Sequence, residues 1–235
     1  MRQGFTLVEL SIVLVIIGLL AGGVLVGQDM IRAAEMRSVI TQVEQFESAI
    51  HTFRDKYMAL PGDFNMAHDF WGANCDGTAS RCNGNLDGWV VNAGANNDNE
   101  AFRAWQHLSL SGIIPGNYTG IGQATAVAGT TNPAGKLSNT AYHMAISGTY
   151  GGTINLITFG TIQSGSNVPY GGALIAEEAW SIDQKRDDGA ANSGALITED
   201  GIGGTATCVS GSPPNQSYNL SGTGQDCRLY FVFKQ

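Results

Sequence analysis

The sequence predicts an α+β protein: a long N-terminal α-helix, membrane-apolar in its first half and amphipathic in its second, packed on a loop-rich globular head with an antiparallel β-sheet. Three observations carry this prediction. An apolar run from Phe5 to Val26 continues as an apolar stripe at helical spacing. The remainder holds short strand-type segments between Gly, Asn, Ser and Pro turns. Glycine supplies 32 of the 235 residues and only 14% are charged, which suits a turn-rich β-containing domain better than a helical bundle.

The helix comes first. Phe5 to Val26 is 22 residues, and at about 1.5 Å per residue it spans the ~30 Å apolar core of a bilayer. An ordinary cleaved signal would be shorter and would close on a small-residue site, whereas this run reaches Ala21-Gly22-Gly23 without one. It also carries a carboxylate, Glu9, at roughly 2.5–3.5 kcal/mol for an acid at the centre of a membrane helix, so a partner must be named for it. Beyond Val26, the residues Met36, Val39, Val43, Phe46, Ile50, Phe53 and Tyr57 recur at steps of three or four. One helix from about Thr6 to Lys56 is therefore expected, ending before the punctuation Leu60-Pro61-Gly62-Asp63. Gly18, Gly22, Gly23 and Gly27 suit either bending or close packing of membrane helices.

The stretch Gly4-Phe5-Thr6-Leu7-Val8-Glu9, followed by the apolar Leu10 to Leu20 and preceded by the polar leader Met1-Arg2-Gln3, resembles the N-terminus of type IV prepilins and type II secretion pseudopilins. The resemblance implies cleavage by prepilin peptidase after Gly4, methylation of the new N-terminal Phe5, and pairing of Glu9 with the N-terminal amine of a neighbouring subunit. An amine and a carboxylate desolvated together cost less than either alone. The implied division is a cleaved leader 1–4, a transmembrane and filament-core helix 5–27, an amphipathic stalk 28–60 and a head 61–235. The implied life is a single pass through the bacterial inner membrane with the head outside the cytoplasm, then an extracellular pilus or a periplasmic pseudopilus. Its partners would be other pilins, the peptidase and an inner-membrane assembly platform.

Alternatives are a minor pilin or pseudopilin that primes or tips a filament, an adhesive or uptake subunit, and a tethered enzyme. The net charge of −8 disfavours a nucleic-acid partner. No Gly-x-Ser-x-Gly, His-Glu-x-x-His or aligned Ser-x-x-Lys signature is present, His51, His68, His107 and His143 are scattered, and the expectation is no enzymatic activity and no required cofactor. The glycine runs at 201–204 and 222–224 read as turns, and the Asn-x-Ser/Thr triplets at Asn117, Asn215 and Asn219 as surface loops.

Within the head, Asn65 to Asn99 reads as an ordered loop pinned by Trp71 and Trp89. Glu100 to Leu110 reads as a short helix with Phe102, Trp105 and Leu108 on one face. Strands are expected at Tyr142–Ile146, Ile154–Phe159, Ala173–Ala176 and Leu229–Phe233, and a second short helix at Ala176–Asp183. Cys75, Cys82, Cys208 and Cys227 permit three pairings; the sequence-local pairs Cys75–Cys82 and Cys208–Cys227 are favoured because each closes a Gly/Asn/Ser-rich loop. The second pair also resembles the C-terminal disulfide loop of many type IV pilins. Zinc is disfavoured, because the spacings are Cys-x6-Cys and Cys-x18-Cys with no His alongside in the sequence.

Two acidic regions are calcium candidates. Asn83-Gly84-Asn85-Leu86-Asp87-Gly88 fits the first half of an oxygen-rich loop, but the bidentate glutamate position falls on Gly94, so a site there would draw on Asp87, Asp98 or Glu100. The second is Asp183, Asp187 and Asp188, similar in placement to acidic loops that bind calcium in some major pseudopilins, with Lys185 and Arg186 as competing partners for the carboxylates.

Overall fold

The computed structural model describes residues 6–75, 78–92, 99–150, 152–213 and 215–233. Helix α1 runs unbroken over Leu7–Tyr57, within a residue of the predicted span at each end. It is the one element shared by two compact units, Met1–Ser38 and Val39–Gln235. In the first unit its apolar side chains, among them Leu7, Ile12, Leu19 and Leu25, are exposed, and by length and composition the segment can cross a membrane. Gly18, Gly22, Gly23 and Gly27 do not break it, and a Cβ at any of them would touch no other part of the chain.

In the second unit α1 turns the predicted stripe inward: Val39, Val43, Ile50 and Phe53 are buried. Each contributes about 1.5–3 kcal/mol by leaving water. Phe46 meets Trp105 and Tyr142 edge-on, with ring centroids 5.0 and 5.1 Å apart. The helix stops where Met58 takes a left-handed φ of 56°. Gly62 follows at φ 90°, where a Cβ would strike the Glu100 carbonyl, so the turn needs glycine.

The segment expected to be loop holds short helical turns: α2 (Ala67–Trp71), a 3₁₀ turn (Gly72–Asn74) and α3 (Ala79–Cys82). Trp71 joins Phe53, Tyr57, Phe64, Phe70 and His107 in an aromatic cluster. Trp89 is half-buried outside it. Helix α4 covers Glu100–Leu110, as expected, with Asn99 as N-cap accepting the Ala101 N–H at 3.1 Å.

Strands β1 (Thr140–Ser147), β2 (Ile154–Thr161), β3 (Leu196–Asp200) and β6 (Cys227–Val232) form an antiparallel sheet in the order β1-β2-β6-β3, and β4 (Val209–Ser212) pairs with β5 (Asn215–Tyr218) in a separate hairpin. Along β1, Tyr142 and His143 are both fully buried against different neighbours, Phe46 and Phe102. A strand covered on both faces shows no polar alternation.

The expected strand Ala173–Ala176 is corrected. Only Leu174 forms a bridge, to Cys227, and helix α5 begins at Ala176 and runs to Arg186. The Glu178 carboxylate accepts the Ile175 N–H at 3.2 Å, which turns the chain into a helix there. β3, β4 and β5 were not predicted. Both disulfides, Cys75–Cys82 and Cys208–Cys227, take the sequence-local pairing, with Cα atoms 5.3 and 5.0 Å apart.

Candidate functional site

Thr6 stands just before α1 and its carbonyl accepts the first helical N–H, from Leu10, at 3.2 Å. Three residues on, one oxygen of Glu9, Oε2, accepts both the Thr6 backbone N–H at 2.8 Å and the Thr6 hydroxyl at 2.9 Å. Thr6 Oγ1 in turn accepts the Glu9 N–H at 3.3 Å. This is a reciprocal capping box: Thr6 as N-cap and Glu9 as the third helical residue satisfy donors that every helix leaves open at its start. Thr-x-x-Glu spells such a box, a signal that the sequence analysis missed in taking Glu9 only as a carboxylate partnered from another chain. Gly4 and Phe5, the expected cleavage and methylation residues, lie outside the described residues.

The head encloses a buried polar centre around His107, which is fully buried. Its Nδ1 accepts the Gly62 N–H at 3.0 Å and its Nε2 stands 2.9 Å from the Cys82 carbonyl, which fixes the Nε2–H tautomer. Burial, with the Arg103 charge adding to it, lowers its pKa to about 3 against the pull of the Cys82 carbonyl. A histidine does therefore lie alongside the Cys75–Cys82 pair, brought there by the fold, and its nitrogen and the two sulfurs fall within 4.8 Å of one another. The sulfurs are joined as a disulfide and both imidazole nitrogens are engaged, so the trio is a structural knot tying α4 to the 60–64 turn and the 75–82 loop.

The first acidic region is drawn together only in part. Asn83 Oδ1 accepts the His68 N–H at 2.8 Å and Asn85 donates to Asp87 at 3.0 Å. Asp87 meets Glu100, one of the residues the sequence offered for such a site, together with Asp63, with carboxylate oxygens within 4.8 Å. Asp63 and Glu100 are buried, and each takes backbone N–H groups on both oxygens: Asp87 and Gly88 on Asp63, Asn85 and Val91 on Glu100. Burial raises both carboxyls. They hold the 85–91 loop to the start of α4. Asp63, which the sequence reading missed, carried a signal in Leu60-Pro61-Gly62-Asp63, read only as punctuation. Asp98 lies outside the described residues.

The second region does converge: Asp183, Asp187 and Asp188 bring carboxylate oxygens within 4.8 Å of one another at the end of α5. Asp187 accepts the Ala195 and Leu196 N–H groups, and Gly194 is glycine because a Cβ there would strike that carboxylate. Asp188 accepts the Ala190 N–H and the Ser193 hydroxyl, each at 2.8 Å. Asp183 is fully buried; its Oδ2 accepts the Tyr218 hydroxyl at 2.8 Å while Oδ1 makes no hydrogen bond. Burial raises its pKa to about 6, and the neighbouring charges of Asp188 and Asp187 push the same way. Neither competing cation reaches the cluster: Arg186 pairs with Glu47 of α1 and stacks 5.2 Å from the Phe231 ring, and exposed Lys185 forms no ion pair among the described residues.

The prokaryotic N-terminal methylation motif matches residues 1–25. No curated protein and no solved structure matches the chain. The matched residues contain Thr6, Glu9 and the first turns of α1.

Proposed function

For a chain that, by this motif and its long apolar helix, fits a type IV prepilin or pseudopilin, we propose the role of structural subunit in a type IV pilus or pilus-like filament. Prepilin peptidase removes residues 1–4, Phe5 becomes the methylated N-terminus, and apolar helices from successive subunits bundle while the heads form the outer layer. The observation that carries this is the placement of Glu9, the only charge between Phe5 and Gln28, on the first turn of an exposed apolar helix. Such a carboxylate is met most cheaply by a cation that arrives with each new subunit, and the freshly exposed amine of a neighbour's Phe5 is that cation. Repeating one heterologous contact gives an open filament.

Glu9→Leu tests the reading. Removing one member of a buried pair costs about 3–5 kcal/mol, more than a hundredfold in the contact. Sheared filaments are expected to disappear while the processed subunit remains in the membrane fraction. Filaments of undiminished yield from Glu9→Leu, or mature protein that retains Met1 to Gly4 by mass spectrometry, would refute it.

A further inference from the structure

Two surfaces of the head differ from each other and match. At the end of α1, Met58 and Leu86 flank one depression of about 260 Å³, and both hold a left-handed backbone, at φ 56° and 59°. That conformation is unfavourable for a bulky side chain, and a fold that keeps it twice gives up stability to place those residues. What it places is apolar surface in water: Met58 is 83% exposed and Leu86 51%. Phe70, 58% exposed, joins them through Tyr57, with ring centroids 5.5 Å apart. The second surface is a groove of about 980 Å³ between α1 and the 113–118 and 129–136 segments, lined by Phe46, Ile113, Ile114, Pro115 and Tyr118. We propose that a second copy of the chain covers the knob: Met58, Phe70 and Leu86 of one head seat in the groove of the next. This rests on the filament role proposed above and adds to it a contact between heads.

Charge and symmetry choose the occupant. Arg54 walls the depression at the knob, Lys56 lies over the Tyr57 ring, and Glu44 lines the groove; none of the three forms an ion pair among the described residues. Lys136 on the groove answers the exposed Asp55 and Asp69 of the knob in the same way. Copies of a chain with net charge −8 repel at long range, so a contact between them needs local pairs of opposite sign at its rim, and these residues supply them. Because knob and groove are different surfaces, the contact is heterologous. Each copy keeps a groove open after its knob is seated, and the series does not close. Glu44 and Arg54 are ten residues apart on α1, so parallel neighbours that pair them are offset by about 15 Å along the helix. Within one chain the two residues cannot meet.

Leu86→Asn separates display from folding, since asparagine accepts the left-handed conformation but presents no apolar surface. In the full chain, the head is expected to melt at least as high as the wild type, while sheared filament per processed, membrane-inserted subunit falls about tenfold. Glu44→Arg and Arg54→Glu are each expected to lower the yield about threefold, and the double swap to restore it. Glu44→Cys combined with Arg54→Cys, oxidised in intact filaments, is expected to give a ladder of linked chains that neither single variant gives, because a disulfide needs Cα atoms within about 7 Å. Wild-type yield from Leu86→Asn would overturn the proposal, and so would a Leu86→Asn head that melts lower, which would make Leu86 a folding residue. A double swap no better than the single ones would remove the pairing on which the choice of occupant stands, and a missing ladder would assign the knob to another partner. Glu9→Leu is measured alongside: undiminished filaments there would sink the filament reading itself, whereas loss in Glu9→Leu beside full assembly by Leu86→Asn would sink this contact alone.

Discussion

Lowering the pH from 7 to 4.5 is expected to destabilise the head by at most about 3 kcal/mol while His107 and His143 stay neutral in the folded protein. Both rings are fully buried, and burial lowers both to about 3 from an ordinary 6.5. His143 Nδ1 lies 2.8 Å from the Asn132 amide, and its Nε2 is buried without a partner. A base with a depressed folded pKa lets the unfolded chain take up a proton that the folded chain refuses. Stability is therefore lost as pH falls from 6.5 towards 3. At pH 4.5 each ring has crossed about two units at 1.36 kcal/mol per unit, about 5 kcal/mol for the pair. Asp183 opposes them: its carboxyl sits at about 6 when folded against an ordinary 3.8, so protonation between pH 6 and 4.5 returns about 2 kcal/mol. Asp63 and Glu100, both raised, act in the same direction as Asp183 and reduce the net loss further. Three kilocalories is a large part of the ~5–15 kcal/mol that holds a domain together. Denaturant midpoints at the two pH values give the size, and imidazole NMR gives the cause. A folded protein with either ring protonated at pH 5 would contradict the account.

The elements that the sequence disclosed are those whose side chains carry their own period. Val39, Val43, Ile50 and Phe53 repeat as a helix, and β2 and β6 are apolar runs between turns, so their packing partners did not have to be known. The strands that escaped notice have no such pattern. β4 reads Val-Ser-Gly-Ser and β5 Asn-Gln-Ser-Tyr; they exist because the chain is doubled back beside the Cys208–Cys227 bridge and the ladder satisfies their backbone groups. Ala173–Ala176 failed in the opposite sense, since its apolar character was real but Glu178 caps a helix that begins at its last residue. Among site residues, Glu9 was legible because a lone charge stands out in an apolar run, although its local contact with Thr6 went unread. The knot of His107 with Gly62 and Cys82 was not, because it joins residues 45 and 25 positions apart and nothing in a linear spacing announces it.

Replacing Asp183 by asparagine is expected to stabilise the head by about 3 kcal/mol at pH 7.5. The carboxyl is raised by about two units through burial, so keeping it ionised above pH 6 costs that amount; a neutral amide removes the cost and can still accept the Tyr218 hydroxyl. For a unit of this size the gain corresponds to roughly 6–12 °C in Tm. It should fade as pH falls through 6 and vanish below about 4, where the wild-type carboxyl is protonated in the folded and unfolded chain alike. The candidate calcium site that the sequence offers at Asp183, Asp187 and Asp188 makes a separable prediction. An ion bound only by the native state stabilises it, by about 2.7 kcal/mol at a hundred times its Kd, so calcium would raise the wild-type Tm and leave Asp183→Asn unmoved. Melting both proteins in chelator and in calcium resolves the two effects. An Asp183→Asn that melts no higher than the wild type in chelator at pH 7.5 would mean that the buried carboxylate is already compensated, and the charge argument would fall. An equal calcium response in both proteins would place the ion elsewhere, whereas a response confined to the wild type would make Asp183 the residue that trades a stability penalty in the empty head for a cation in the filled one.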